Sequence, residues 1–90
     1  MDTIQDKYFY IETLLNEILI LIKSEMGDNH FEDLDKAIKI VSQKNYSQIN
    51  SIDKKIKNLS MLLYNQNLEN SKTIFDKLDA IHFTINESLT

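Results

Sequence analysis

The chain has 90 residues and a net charge of −4, with 42% hydrophobic and 27% charged residues. This length allows one domain with a thin core, and the composition excludes a mainly disordered chain. The absence of cysteine excludes disulfides, thiolate nucleophiles and cysteine-ligated metal centres. We therefore predict a single domain over residues 1–90.

No targeting or membrane segment is visible. The N-terminus begins with Met1, Asp2 and Thr3 and has no basic stretch of the kind that opens a secretory signal. The most apolar window, residues 14–22, includes a glutamate and is much shorter than the roughly 20 residues of a membrane span. We expect a cytoplasmic protein with no membrane span.

The first predicted helix covers residues 3–26. Its apolar stripe follows the 4-3-4-3-4 spacing of one helix face, at Ile4, Tyr8, Ile11, Leu15, Ile18 and Ile22. Thr3 and Asp6 resemble a capping box at its start. Gly27 is placed to end the helix in the left-handed conformation.

A second helix is predicted over residues 30–44 and a third over residues 48–66. Asn29 and Glu32 form the second predicted capping box. The stripes of these two helices repeat the spacing of three and four residues, at Phe31, Leu34, Ile38 and Val41, then at Ile49, Ile52, Ile56, Leu59 and Leu63.

A fourth helix is predicted over residues 72–88. Its stripe consists of Ile74, Phe75, Leu78, Ile81, Ile85 and Leu89. The polar segment 65–71 is rich in poor helix formers, so it forms either a turn or a weak point in one continuous helix. The sequence therefore predicts an all-α antiparallel bundle of three to four helices, and leaves open whether the third and fourth are continuous.

The first helix carries more apolar residues than one core stripe requires. The additional side chains lie on a flank of the stripe or opposite it, at Phe9, Tyr10, Leu14, Ile20 and Leu21. Smaller sets of the same kind are Met61, Tyr64 and Leu68 in the third helix and Phe83 in the fourth. Aromatic anchors with aliphatic neighbours are typical of interface centres, so these five residues of the first helix are the predicted interaction surface. The alternative is that the first helix is the central helix of a monomer.

The sequence offers no recognisable catalytic, cofactor or metal site. His30 stands among acidic residues but has no second histidine at ligand spacing, and these acidic residues suit a helix start. His82 lies at the edge of the fourth stripe, where structural burial or partial exposure is the ordinary explanation and a contact with Glu12 or Glu17 of the first helix is the alternative. With one glycine, neither a phosphate-binding loop nor a nucleophile elbow can form. We expect no cofactor, no metal and no enzyme activity.

Positive charge is concentrated in one segment. Residues 36–57 hold six lysines and one aspartate, which gives +5, so the remainder of the chain carries −9. A solvated helix face is the ordinary explanation, and contact with an acidic partner or with nucleic acid is the alternative. The net negative charge and the absence of arginine argue against nucleic-acid binding.

The predicted function is a small, non-enzymatic protein–protein interaction module that associates with itself or with another protein. The chain's lysine, isoleucine and asparagine usage is typical of an AT-rich bacterial or phage genome. In size and helix count alone it resembles four-helix bacteriocin immunity proteins and short flagellar or injectisome chaperones, and no motif supports either resemblance. Inhibitor, immunity, chaperone and adaptor roles all remain compatible with the sequence. The alternative prediction is nucleic-acid binding through the lysine-rich segment.

Overall fold

A computed structural model describes residues 4–27 and 31–88 of the chain. Its regular secondary structure in these ranges is helical, without a strand. The helices are α1 (Ile4–Met26), α2 (Glu32–Ser42), α3 (Ile49–Tyr64) and α4 (Ser71–Ser88), with a short 3-10 helix at Tyr46–Gln48 before α3. This confirms the predicted all-α fold, and α3 and α4 are separate helices.

The four helices form a closed ring of neighbours. Each packs against the next along the chain, and α4 returns to pack against α1. The connections are short, so consecutive helices run antiparallel. The bundle measures 37 × 21 × 19 Å.

The core is built from the predicted stripes. Its buried side chains are Tyr8, Ile11, Leu14, Leu15, Ile18 and Ile22 from α1; Leu34, Ala37 and Val41 from α2; Ile49, Ile52, Ile56, Leu59 and Leu63 from α3; and Ile74, Leu78, Ile81 and Ile85 from α4. Phe31, Ile38 and Phe75 are half-buried against them, and Leu89 lies outside the described residues. Among the described side chains no polar or charged group is buried. Polar chemistry in this part of the chain is therefore confined to the surface.

Helix α1 ends as predicted. Gly27 has a φ of +66°, in the left-handed region that glycine adopts without steric cost. Its N–H donates to the Lys23 carbonyl at 2.9 Å, which satisfies one of the carbonyls left open at a helix end.

The start of α2 differs from the prediction. The N-cap is Phe31, with φ −114° and ψ 105° and no side-chain capping bond. Glu32 is therefore the first helical residue. The predicted capping box required Glu32 to be the third helical residue, so that prediction is wrong. Asn29, and Thr3 of the other predicted box, lie outside the described residues. The acidic first turn of α2 still favours the positive end of the helix dipole.

Helix α2 also ends two residues earlier than predicted. Lys44 has a φ of +55°, which a residue with a Cβ adopts at a steric cost. The Lys44 N–H donates to the Val41 carbonyl, and the Asn45 N–H donates to the Ile40 carbonyl. These bonds close the helix end and turn the chain towards α3.

Candidate interaction surfaces

On one side of α1, none of the exposed residues is charged over three turns. The exposed side chains between residues 9 and 20 are Phe9, Tyr10, Thr13, Asn16 and Ile20. We call these five residues the outer α1 surface. The two charged residues in this range are both half-buried, and one of them, Glu17, accepts an ion-pair hydrogen bond from Lys77 of α4 at 2.8 Å.

Phe9 and Ile20 are the two large apolar groups that face outward from α1. Their residue exposures are 69% and 66%. They are eleven positions apart, which is about three turns and about 16 Å along the axis. They therefore lie on one side of the helix, opposite the core stripe, with Thr13 and Asn16 between them.

The other predicted interaction residues lie nearer the core. Tyr10 is 48% exposed, whereas Leu14 is 7% exposed and belongs to the core of the single chain. Leu21 is half-buried and packs against that core. The prediction that Leu14 is available at the surface is wrong, because its side chain is buried in the core of the single chain. Phe9, Tyr10 and Ile20 remain as exposed members of the predicted set.

The hydroxyl groups on this side of α1 are satisfied within the helix. Thr13 Oγ1 donates to the Phe9 carbonyl at 2.9 Å, and Ser24 Oγ donates to the Leu21 carbonyl at 2.8 Å. A partner could cover these hydroxyls without leaving a donor unpaired. Thr13 and Asn16 were not among the predicted interaction residues, although the 4-3-4 spacing of residues 9, 13, 16 and 20 was the available signal.

A second exposed apolar region lies on α3 and α4. Met61, Leu62 and Tyr64 of α3 and Phe83 of α4 are exposed, and Leu68 in the connection between the two helices is half-buried. Met61 borders a groove of about 420 Å³ between the two helices, which is lined by Asp53, Ile56, Lys57, Ser60, Met61, Leu78, Asp79 and His82. The groove itself contains the charged residues Asp53, Lys57 and Asp79, whereas residues 58–68, which include the exposed Met61 and Tyr64, contain no charged residue.

His82 faces this groove rather than α1. Its Nδ1 lies 2.6 Å from Asp53 Oδ1 of α3, so its acidic neighbour comes from α3 and not from the alternatives on α1, Glu12 and Glu17. Asn86 Nδ2 donates to the His82 carbonyl one turn earlier, at 2.8 Å. Ser60 Oγ in the same groove donates to the Ile56 carbonyl at 3.1 Å. These polar groups are engaged with one another and with their own helices.

The lysine-rich segment does not form one surface. Lys36, Lys39 and Lys55 line a groove of about 320 Å³ between α2 and α3, together with Ile40, Gln43, Asn45 and Gln48. Lys57 lines the α3–α4 groove instead, because residues of a helix that are two positions apart point in different directions. The structure thus brings three of the six lysines together.

An acidic residue already contacts this basic groove. Lys36 Nζ lies 2.7 Å from Glu32 Oε1. The Lys36 hydrogen bond and charge, with a smaller effect of Lys55, hold the pKa of Glu32 below its ordinary value. The same pair raises the pKa of Lys36. Glu32 therefore offsets part of the positive charge of the groove.

Comparison with known proteins identifies no relative: no family model, no curated protein and no solved structure matches this chain. In the described ranges, none of the helices has the length and apolar character needed to cross a membrane. These same ranges hold no cluster of three or more histidine, cysteine, aspartate or glutamate residues that could bind a metal ion. His30 lies outside them.

Proposed function

We propose that this protein is a non-enzymatic protein–protein interaction module that associates with itself through the outer α1 surface. The observation that carries the proposal is that none of the exposed residues from Phe9 to Ile20 is charged. The shorter helix α2, by contrast, exposes four charged side chains: Glu32, Asp35, Lys36 and Lys39. Depletion of charge with retention of aromatic side chains is the composition of an interface centre.

The expected complex is reversible. Burying one large apolar side chain contributes about 1.5–3 kcal/mol, so Phe9 and Ile20 of two copies contribute at most about 6–12 kcal/mol. Association itself costs about 4–15 kcal/mol. Because these ranges overlap, we expect a dimer that dissociates on dilution rather than a permanent one.

Light scattering after size-exclusion chromatography tests this proposal. The wild-type mass should rise from 10.6 kDa towards twice that value as the loading concentration increases a hundredfold. The Phe9→Ser/Ile20→Ser variant should remain at the mass of one chain, with unchanged helicity. A wild-type protein that stays a single chain at every concentration would refute self-association.

Nucleic-acid binding is the second candidate, supported by the three lysines of the α2–α3 groove. Fluorescence anisotropy with single-stranded and double-stranded oligonucleotides at low salt tests it. Binding should weaken as salt rises and should be lost in Lys39→Gln/Lys55→Gln. Lys54→Gln, which removes one exposed lysine of α3 outside this groove, is the control. Failure of the wild type to bind either oligonucleotide would reject this candidate.

A further inference from the structure

The outer α1 surface has a nearly symmetric pattern that specifies how two copies meet. We infer, on the basis of the proposed self-association, that the α1 helices of two copies pack antiparallel about a two-fold axis midway between Thr13 and Asn16. Phe9 of one copy then contacts Ile20 of the second copy, and this contact occurs twice.

The spacing of the surface supports this register. Residues 9, 13, 16 and 20 are separated by four, three and four positions, so the pattern is the same when it is read backwards. The 4-3-4 spacing is that of a coiled-coil seam, in which helix axes approach to about 8–10 Å. The large side chains, Phe9 and Ile20, are at the two ends of the pattern, and the smaller Thr13 and Asn16 are in the middle.

Charge distinguishes the antiparallel arrangement from a parallel one. Asp6 and Lys23 are exposed, and each lies three residues beyond one end of the pattern. Antiparallel packing brings Asp6 of one copy level with Lys23 of the second copy, whereas parallel packing brings like charges level at both ends. Like charges in close opposition destabilise an interface. In the antiparallel arrangement the macrodipoles of the two α1 helices also point in opposite directions, which is favourable.

Pairing of Asn16 between the two copies favours this register over shifted ones. The two-fold axis places the side-chain amides of both copies close to each other, and each amide has both a donor and an acceptor. A buried asparagine in a helix seam fixes register because any shift leaves it unpaired. Thr13 does not compete for this role, since its hydroxyl is already bound to the Phe9 carbonyl.

Disulfide cross-linking tests the arrangement, and the natural chain contains no cysteine to interfere. Phe9→Cys and Ile20→Cys are prepared separately and then mixed under mild oxidation. Antiparallel packing places these two cysteines at one level, within reach of the roughly 4.4–6.8 Å Cα separation of a disulfide. It separates identical cysteines by about 16 Å along the axis. The mixture should therefore form a cross-linked dimer. Each variant alone should give no more cross-linked dimer than the control Met61→Cys, which places a cysteine at an exposed position on α3.

A second measurement covers the case in which the cysteine variants no longer associate. Lys23→Asp should weaken dimerisation at least threefold in sedimentation equilibrium, and adding Asp6→Lys should restore it. Cross-linking of each single variant with itself, or failure of the second charge change to restore association, would overturn the antiparallel arrangement while leaving self-association intact. A wild-type chain that is monomeric by light scattering would instead refute the proposed function.

Discussion

The side-chain carboxylate of Glu25 accepts a hydrogen bond from the backbone N–H of Asn70 at 3.1 Å. Its other oxygen accepts the neighbouring N–H of Glu69. Both donors immediately precede α4, which begins at Ser71, where backbone N–H groups lack partners within the helix. A carboxylate at this end also favours the helix dipole. The last turn of α1 therefore holds the start of α4 in place.

Glu25→Ala should lower the free energy of unfolding by about 1–2 kcal/mol, as loss of a helix cap does. Chemical denaturation measures this change, and hydrogen exchange should show faster exchange at the start of α4. Glu69→Ala is the matched control, because the donated N–H belongs to its backbone and is retained. Equal stabilities of Glu25→Ala and Glu69→Ala would contradict the capping role.

The helix positions could be read from the sequence because the core stripes keep their spacing over many turns. The break between α3 and α4 could not be decided, since Leu63 and Ile74 are also in register for a continuous helix. At the break, the backbone N–H groups of Glu69 and Asn70 donate to Glu25, a contact with a residue distant in the sequence that helix spacing does not reveal. The surface was partly predictable for a similar reason: helix geometry gave the outward direction of Phe9, but not the burial of Leu14 on the flank of the core stripe.

Leu14 and Ile20 should respond oppositely to truncation. Leu14→Ala should cost about 2–4 kcal/mol of monomer stability, because it leaves a cavity in the core. Ile20→Ala should change the stability of the monomer by less than about 0.5 kcal/mol and should weaken self-association. Thermal unfolding at low protein concentration, together with sedimentation, separates these effects. A large loss of monomer stability in Ile20→Ala would show that its side chain is part of the core.

For the two positive-φ residues in the described ranges, Gly27 and Lys44, we predict stability changes of opposite sign. Gly27→Ala should cost about 1 kcal/mol, because a Cβ is unfavourable in the left-handed conformation, although the space around Gly27 is open. Lys44→Gly should stabilise the protein by up to about 1 kcal/mol by removing that steric cost. Lys44→Ala, which removes the charge but keeps the Cβ, is the control and should give no such gain. A gain in Lys44→Ala equal to that in Lys44→Gly would assign the effect to charge instead.

Because of Glu32, we predict that the free energy of unfolding decreases slightly at acidic pH. Its pKa is lowered in the folded chain, chiefly by the hydrogen bond from Lys36. A carboxyl with a depressed pKa stabilises the fold above its unfolded pKa, and this contribution is lost as the pH falls through the folded pKa. NMR titration of the Glu32 carboxyl should show the pKa returning towards its ordinary value in Lys36→Gln. An unchanged pKa in that variant would contradict the pairing.

Sedimentation equilibrium of matched surface variants directly tests whether the outer α1 surface mediates self-association. Phe9→Ser/Ile20→Ser removes the two large apolar side chains of the outer α1 surface. Met61→Ser/Tyr64→Ser removes two side chains of α3 that are at least as exposed as Ile20, at 66% and 80%. We predict that the wild type and the α3 variant dimerise with similar affinity, whereas the α1 variant remains monomeric. Dimerisation that survives in the α1 variant and is lost in the α3 variant would contradict self-association through the outer α1 surface.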